Sequence, residues 1–277
     1  MKDIIGLALA GNFAKHLEQA GEAKDFVLIK TDDADAPKGM FAFYVPNSTS
    51  FLSRYCIDNE KIIIPKGCKV QAEPELALEC ELSYKDELVL SIKPLYFMAF
   101  NDTSIREGIK ASKISQKKNF STASKGFGDK KIPIDVFEKG HICDFYSIAS
   151  FIRHKDSAEF ENYGEVSKVS TYSYFYSKLL EWMIKTINSQ QDFAVLENLS
   201  LMLKEAKYPK KALISIGATR YMPKYEHTFL TEGDELCIML FNHDKYSQDE
   251  LKKMLARNAD FSNFDDISAL RQRVLFL

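Results

Sequence analysis

The sequence predicts a mixed α+β fold, and three observations carry the prediction. Strand-length apolar runs dominate residues 1–170, two stretches of helical spacing follow between Tyr172 and Ala206, and strand character returns at ALISIG and EGDELCIMLFN. Neither an internal repeat nor a break in composition marks a second globular unit. The expectation is one domain over residues 1–246 and a helical tail over residues 247–277.

In chain order, DIIGLALAG reads as a short strand closed by Gly11, and Asn12 reads as the N-cap of a two-turn helix, FAKHLEQA, that stops at Gly21. FVLIK and MFAFYVP read as strands, the second stopped by Pro46, with an acidic loop between them. IIIPKG is a strand and turn leading into QAEPELALECEL. A further apolar run, LVLSIKPLYFMAF, ends at Asn101-Asp102, and a short helix is expected near Thr103. The Gly, Ser and Lys content of ASKISQKKNFSTASKGFGDKK argues for a mobile loop. Leu179, Leu180, Met183, Ile184 and Ile187 form the apolar face of a helix, and Ser247 with Glu250 forms a capping box. A second helix is expected to start between Ser262 and Asp265.

QAEPELALECEL alternates with period two, so Glu73, Glu75, Glu79 and Glu81 share one face of a strand. Glu73 and Glu75 sit two residues apart, with Cα atoms about 7 Å from each other, and both can reach one hard cation. With Asp102 at the end of the next apolar run, they form a candidate three-carboxylate site for Mg²⁺ or Mn²⁺. The same pattern also fits the wet side of a half-buried strand. Pro74 removes one ladder bond, which suggests an edge or a bulge. Lys125, set among small residues in SKGFG, is a candidate anion-binding group or one more surface lysine.

The bulk numbers exclude several classes. The chain is 45% hydrophobic with net charge -2 and pI near 6.3, and its Lys and Arg residues form no basic block, so nucleic acid is not an expected partner. No apolar run reaches membrane-spanning length, and MKDIIGLALAGN is too short and too soon interrupted to be a signal peptide. Five isolated cysteines, mostly inside apolar runs and without zinc spacing, read as reduced core residues of a cytoplasmic protein.

In order, the motifs GLALAGNFAKH, IIIP, EPELALECEL, FMAFNDTSIRE, SKGFG and LTEGDELCIML resemble the fumarylacetoacetate hydrolase superfamily over residues 4–242, with almost no match between Lys131 and Lys210. The resemblance implies a mixed β-roll-like fold of that family's C-terminal domain type with added helices, residues 1–246 being the catalytic domain. It also implies a homodimer. Glu73, Glu75 and Asp102 would hold a divalent cation, Mg²⁺ or Mn²⁺ with Ca²⁺ as a further option. His16 would activate water, Lys125 would face substrate oxygens, and Arg106 would stand behind Asp102. The implied activity is hydrolysis, decarboxylation or another C–C cleavage of a small keto or diketo acid through an enolate. A metal-dependent binding protein for a small anionic metabolite on the same fold is the alternative.

The departures define a divergent member. His16-Leu17-Glu18-Gln19 lacks a carboxylate three residues after the histidine. Phe43-Tyr44-Val45-Pro46 lacks the family's lysine, and Ile216-Gly217-Ala218-Thr219 lacks its proline.

Overall fold

The structure, a computed structural model, describes residues 3–13, 19–31 and 33–277. Strand-forming runs build its frame. In chain order the strands are β1 (Ile4–Ala10), β2 (Gly39–Tyr44), β3 (Lys61–Ile64), β4 (Lys69–Gln71), β5 (Pro74–Lys85), β6 (Leu88–Asn101) and β7 (Ser104–Glu107). The remaining strands are β8 (Gly126–Phe127), β9 (Ile132–Pro133), β10 (Tyr146–Arg153), β11 (Glu161–Asn162), β12 (Ser167–Lys168), β13 (Lys211–Ala218), β14 (Glu235–Asn242) and β15 (Ile267–Phe276). One sheet runs β2-β1-β13-β5-β6-β8, with β9 also on β6. A second runs β11-β10-β14-β15-β3, with β12 also on β10, and β4 pairs with β7.

The two sheets pack through β5 and β6 against β10, β14 and β15. Leu76, Leu78, Phe97 and Ala99 from the first meet Ile148, Ile238, Leu240 and Leu270 from the second in one apolar core. Four α-helices lie among the described residues: α1 (Ile114–Lys118), α2 (Tyr176–Ser189), α3 (Leu199–Glu205) and α4 (Gln248–Ala256). Helix α2 buries Leu179, Met183 and Ile187, the face that the spacing predicts. Helix α4 starts at the expected capping box of Ser247 and Glu250. No helix among the described residues is long and apolar enough to cross a membrane.

Several elements differ from the sequence reading. FVLIK forms no strand: Ala23–Phe26 is a 3₁₀ turn, Val27 and Leu28 are exposed, Phe26 enters the core and Ile29 packs against it. Apolar β-branched runs become strands only where a neighbouring strand accepts them, and here none does. The stretch after Asp102 is strand β7, because Ile105 and Ser104 pair with Val70 and Gln71. The tail is helical only through α4. Beyond a single 3₁₀ turn at Phe261–Asn263 it becomes β15, which lies between β14 and β3. Pro74 opens an interior strand, where the first position tolerates a missing donor. The irregularity lies opposite, in β13 between Ser215 and Ala218.

Asn12 acts as a clamp between segments. Its amide nitrogen donates to Tyr174 O at 3.0 Å and Ile216 O at 2.9 Å, and its carbonyl accepts from Tyr174 N at 2.8 Å. All three bonds are buried, so Asn12→Ala strands backbone groups away from water. The expected loss is about 3 kcal/mol in chemical denaturation, with Asn12→Asp losing a similar amount because it cannot donate. A loss below about 1 kcal/mol for both would show that the clamp is dispensable.

Candidate functional site

The site forms where β5 begins and β6 ends. Glu73 and Asp102 are joined by a backbone bond, Asp102 N to Glu73 O at 3.1 Å, and Asn101 Oδ1 accepts from Glu73 N at 3.2 Å. Asn101 Nδ2 in turn donates to Gln272 Oε1 at 2.8 Å, and Gln272 Nε2 donates to Asp58 O and Lys61 O at 2.6 and 3.1 Å. Through these bonds the last strand of the chain fixes the end of β6. A side-chain carbon at Gly126 would lie 2.4 Å from the Gln272 amide, so only glycine admits that approach.

Glu73, Glu75 and Asp102 converge, each offering an oxygen within 4.8 Å of the others. They are 3%, 1% and 1% exposed, so none of them belongs to a wet strand face. Glu75 accepts from the Ser215 hydroxyl and, at 3.0 Å, from Gly217 N, where the β13 irregularity turns the backbone inward. Gly217 adopts φ +115°, a conformation that disfavours any side chain. Thr219 N and Oγ1 donate to Pro74 O, at 3.0 and 3.2 Å, which locks the Ile216–Thr219 turn onto the glutamate strand.

Three cations meet these carboxylates. The Lys118 ammonium donates to Glu73 Oε2 and to Asp102 Oδ2, both at 2.7 Å, and is 2% exposed. Lys125 is fully buried. Its ammonium lies 3.0 Å from Asp102 Oδ1 and donates to Thr103 O at 2.8 Å, Lys118 O at 2.7 Å and Ser124 O at 3.1 Å. Arg106 donates to Glu73 Oε1 at 2.7 Å, to Gln71 Oε1 at 2.9 Å and to the Tyr221 hydroxyl at 3.1 Å, and it pairs with Glu22.

Burial pushes the Glu75 carboxyl well above the usual range, and the charges of Asp102 and Glu73 push it further. Burial also raises Asp102, although Lys118 and Lys125 oppose it. For Lys118, burial is outweighed by Asp102 and Glu73, so its ammonium is held more firmly than an ordinary lysine's. For Lys125, burial prevails over Asp102 and lowers its pKa.

The structure therefore brings together Glu73, Glu75, Asp102, Lys125 and Arg106. Arg106 arrives on strand β7 rather than on a helix, and its carboxylate partner in this cluster is Glu73 rather than Asp102. Lys125 is fully buried rather than on the surface. His16 lies outside the described residues. Gln19, three residues further on, donates to Glu226 Oε1 at 2.8 Å and accepts from Tyr221 N at 3.1 Å.

Sequence reasoning missed Lys118 and Glu22. The available signal for Lys118 was its place four residues after the buried Ile114, on the inward side of one helical turn. Beside Arg106 and Glu22 lies a cavity of about 220 Å³, whose wall includes Gln19, Lys24, Gln71, Lys117 and Glu226.

The oxygen donors suit a hard divalent cation, but the place between Glu73 and Asp102 holds the Lys118 ammonium. A doubly charged ion there would meet the attraction of the three carboxylates together with the repulsion of that ammonium. The triad thus has the oxygen donors of a divalent-cation site, with the Lys118 ammonium already bonded to two of its carboxylates.

The model of a family described as one of unknown function (DUF5718) matches residues 22–274. No curated protein matches the chain. Among solved structures the chain is similar to the apo form of a 2-keto-3-deoxy-D-arabinonate dehydratase, at 14% identity and TM-score 0.55, over 99% of this chain and 73% of that one. The same dehydratase complexed with magnesium and 2,5-dioxopentanoate matches at 17% identity and TM-score 0.53, over 99% and 73%. A fumarylacetoacetate hydrolase family protein from Yersinia pestis CO92 matches at 13% identity and TM-score 0.52, over 98% and 94%. At these identities the likeness is one of fold, and that fold is the one the motif order implied.

Glu75 is the carboxylate of the triad that Lys118 does not touch. Glu75→Gln is uncharged and keeps an acceptor for Ser215 and Gly217, so its unfolding free energy should stay within about 1 kcal/mol of the wild type. Glu75→Ala should lose about 2–4 kcal/mol. Equal losses in both variants would show that the site depends on an ionised Glu75.

Proposed function

We propose, on the premise that this chain belongs to the DUF5718 family, itself described as of unknown function, that the protein is a hydrolase or lyase acting on a small keto or diketo acid. The observation that carries this reading is the convergence of Glu73, Glu75 and Asp102 with the buried Lys125, at the ends of two paired strands. The fold adds support, because it is shared with a dehydratase solved with magnesium and 2,5-dioxopentanoate.

If bound, a divalent cation would be held by Glu73, Glu75 and Asp102, as the resemblance to the fumarylacetoacetate hydrolase superfamily implies, and would supply Lewis-acid chemistry toward a keto oxygen. With Lys118 between those carboxylates, the chain's own groups must bind and orient the substrate. The cavity beside Arg106 is the candidate place for a small acid, and Lys24 in its wall is a cationic partner for a substrate carboxylate, whereas Lys117 pairs with Asp25. His16 is assigned as the base that takes a proton from water. The Glu226 carboxylate, which accepts from Gln19 three residues after the histidine, is assigned as the group that orients it.

One observation favours a second reading, a non-catalytic binding protein on the same fold. Lys118 and Lys125 are committed to groups of the cluster itself, so neither ammonium is open to a ligand without rearrangement.

A panel of acylpyruvates and oxaloacetate-like acids, assayed with chelator and with added Mn²⁺, separates the readings. Turnover under either condition that falls about 100-fold or more in His16→Ala and less in Glu226→Gln supports the enzyme. Equal rates in wild type and His16→Ala remove His16 from the mechanism. Saturable binding of one of these acids without turnover assigns the protein to the second reading.

A further inference from the structure

We propose that Lys118 is the resident cation of the three-carboxylate site: a tethered ammonium occupies the position that a divalent ion would take, and it closes the site to such ions. This inference does not rest on the keto-acid reading.

The geometry is that of an ion in a coordination shell. The ammonium makes two bonds of 2.7 Å to oxygens from different carboxylates and a third, longer contact of 3.4 Å to Asp102 O. The Phe41 ring also lies against the ammonium, with its centroid 5.3 Å from Nζ. Lys118 is buried along its whole length.

The backbone that delivers Lys118 is held from three sides. Ile114 N at the start of α1 donates to Val195 O at 3.0 Å. The next residue, Asn119, donates to Phe43 O and Arg54 O at 2.8 and 2.9 Å. Lys118 O itself accepts the Lys125 ammonium at 2.7 Å. A lysine that merely faced solvent would need none of these ties.

The neighbouring cations reinforce the exclusion. Arg106 and Lys125 already neutralise the far oxygens of Glu73 and Asp102. A divalent ion entering beside Lys118 would thus meet carboxylates whose charge is shared among three positive groups. Glu75, bonded to Ser215 and Gly217, would be left as the main donor, and one carboxylate holds Mg²⁺ or Mn²⁺ weakly.

The experiment compares the wild-type protein with Lys118→Met, which keeps the length of the stem and removes the charge, and with Lys118→Gln, which also retains a polar end. Mn²⁺ is the probe, followed by loss of the free-ion electron paramagnetic resonance signal, by calorimetry and by thermal melting. The wild type is expected to bind no stoichiometric Mn²⁺ and to melt at the same temperature in chelator and in millimolar Mn²⁺. The folded Lys118 variants should bind one Mn²⁺ at least on the order of 100-fold more tightly and should gain thermal stability from it. Adding Glu75→Ala to Lys118→Met should remove that binding, which locates the ion in the triad.

Equal Mn²⁺ affinity in wild type and variants would overturn the proposal, and so would folded variants that still bind none. If both variants fail to fold, the wild type decides: a stoichiometric Mn²⁺ or a raised melting temperature overturns the proposal, and indifference to Mn²⁺ upholds it. Mn²⁺-dependent turnover by the wild type would likewise refute the plug while leaving the keto-acid function standing.

Discussion

The site depends on one interaction, the pair of 2.7 Å bonds from the Lys118 ammonium to Glu73 and Asp102. Four carboxylates, Glu22, Glu73, Glu75 and Asp102, are buried within one hydrogen-bonded cluster, where each bare charge would cost several kcal/mol. The fold offsets that cost by pairing. Arg106 spans Glu22 and Glu73, Lys118 spans Glu73 and Asp102, and Lys125 completes Asp102. Glu75, whose donors among the described residues are the Ser215 hydroxyl and the Gly217 backbone, is the group whose charged form the surroundings oppose most clearly.

The rest of the architecture can be understood as the means of holding this cluster. Pro74 and Glu75 at the start of β5 pair with Asn101 and Phe100 at the end of β6, and Glu73 and Asp102, one residue beyond, are bonded to each other. The β13 irregularity turns Gly217 N toward Glu75, while Gln272 on β15 braces Asn101. That bracing explains why the last ten residues of the fold are a strand: Gln272 alternates with Val274 and Leu270 on a face that packs inward. The short β4-β7 ladder puts Gln71 and Arg106 on the same side, so the guanidinium reaches Glu73 from a strand.

Much of this was legible in the sequence. Strict alternation around Glu73 and Glu75 and the carboxylate ending an apolar run were enough to name the triad, because both signals are local. Lys125 could be singled out by its Gly and Ser neighbours, whose small size marks close packing of backbone. Arg106 could be assigned near the cluster but not to its element, since β7 exists only through its pairing with β4. Lys118 was hidden among five neighbouring lysines of a polar stretch, and its partner Glu73 is 45 residues away, beyond the reach of any periodicity. The tail misled because α4 carries strong capping signals, whereas β15 is specified by the strands on either side of it.

The fold thus carries the carboxylate geometry of a cation site together with a lysine that occupies it, and any chemistry on a keto acid has to begin from that state. The most direct measurement is a crystal structure of the wild-type protein grown in Mn²⁺, with anomalous data collected at the manganese edge. The account predicts no anomalous peak between Glu73, Glu75 and Asp102, with Lys118 Nζ within about 3 Å of both Glu73 and Asp102. A manganese peak at that position, with the Lys118 side chain turned away, would contradict it.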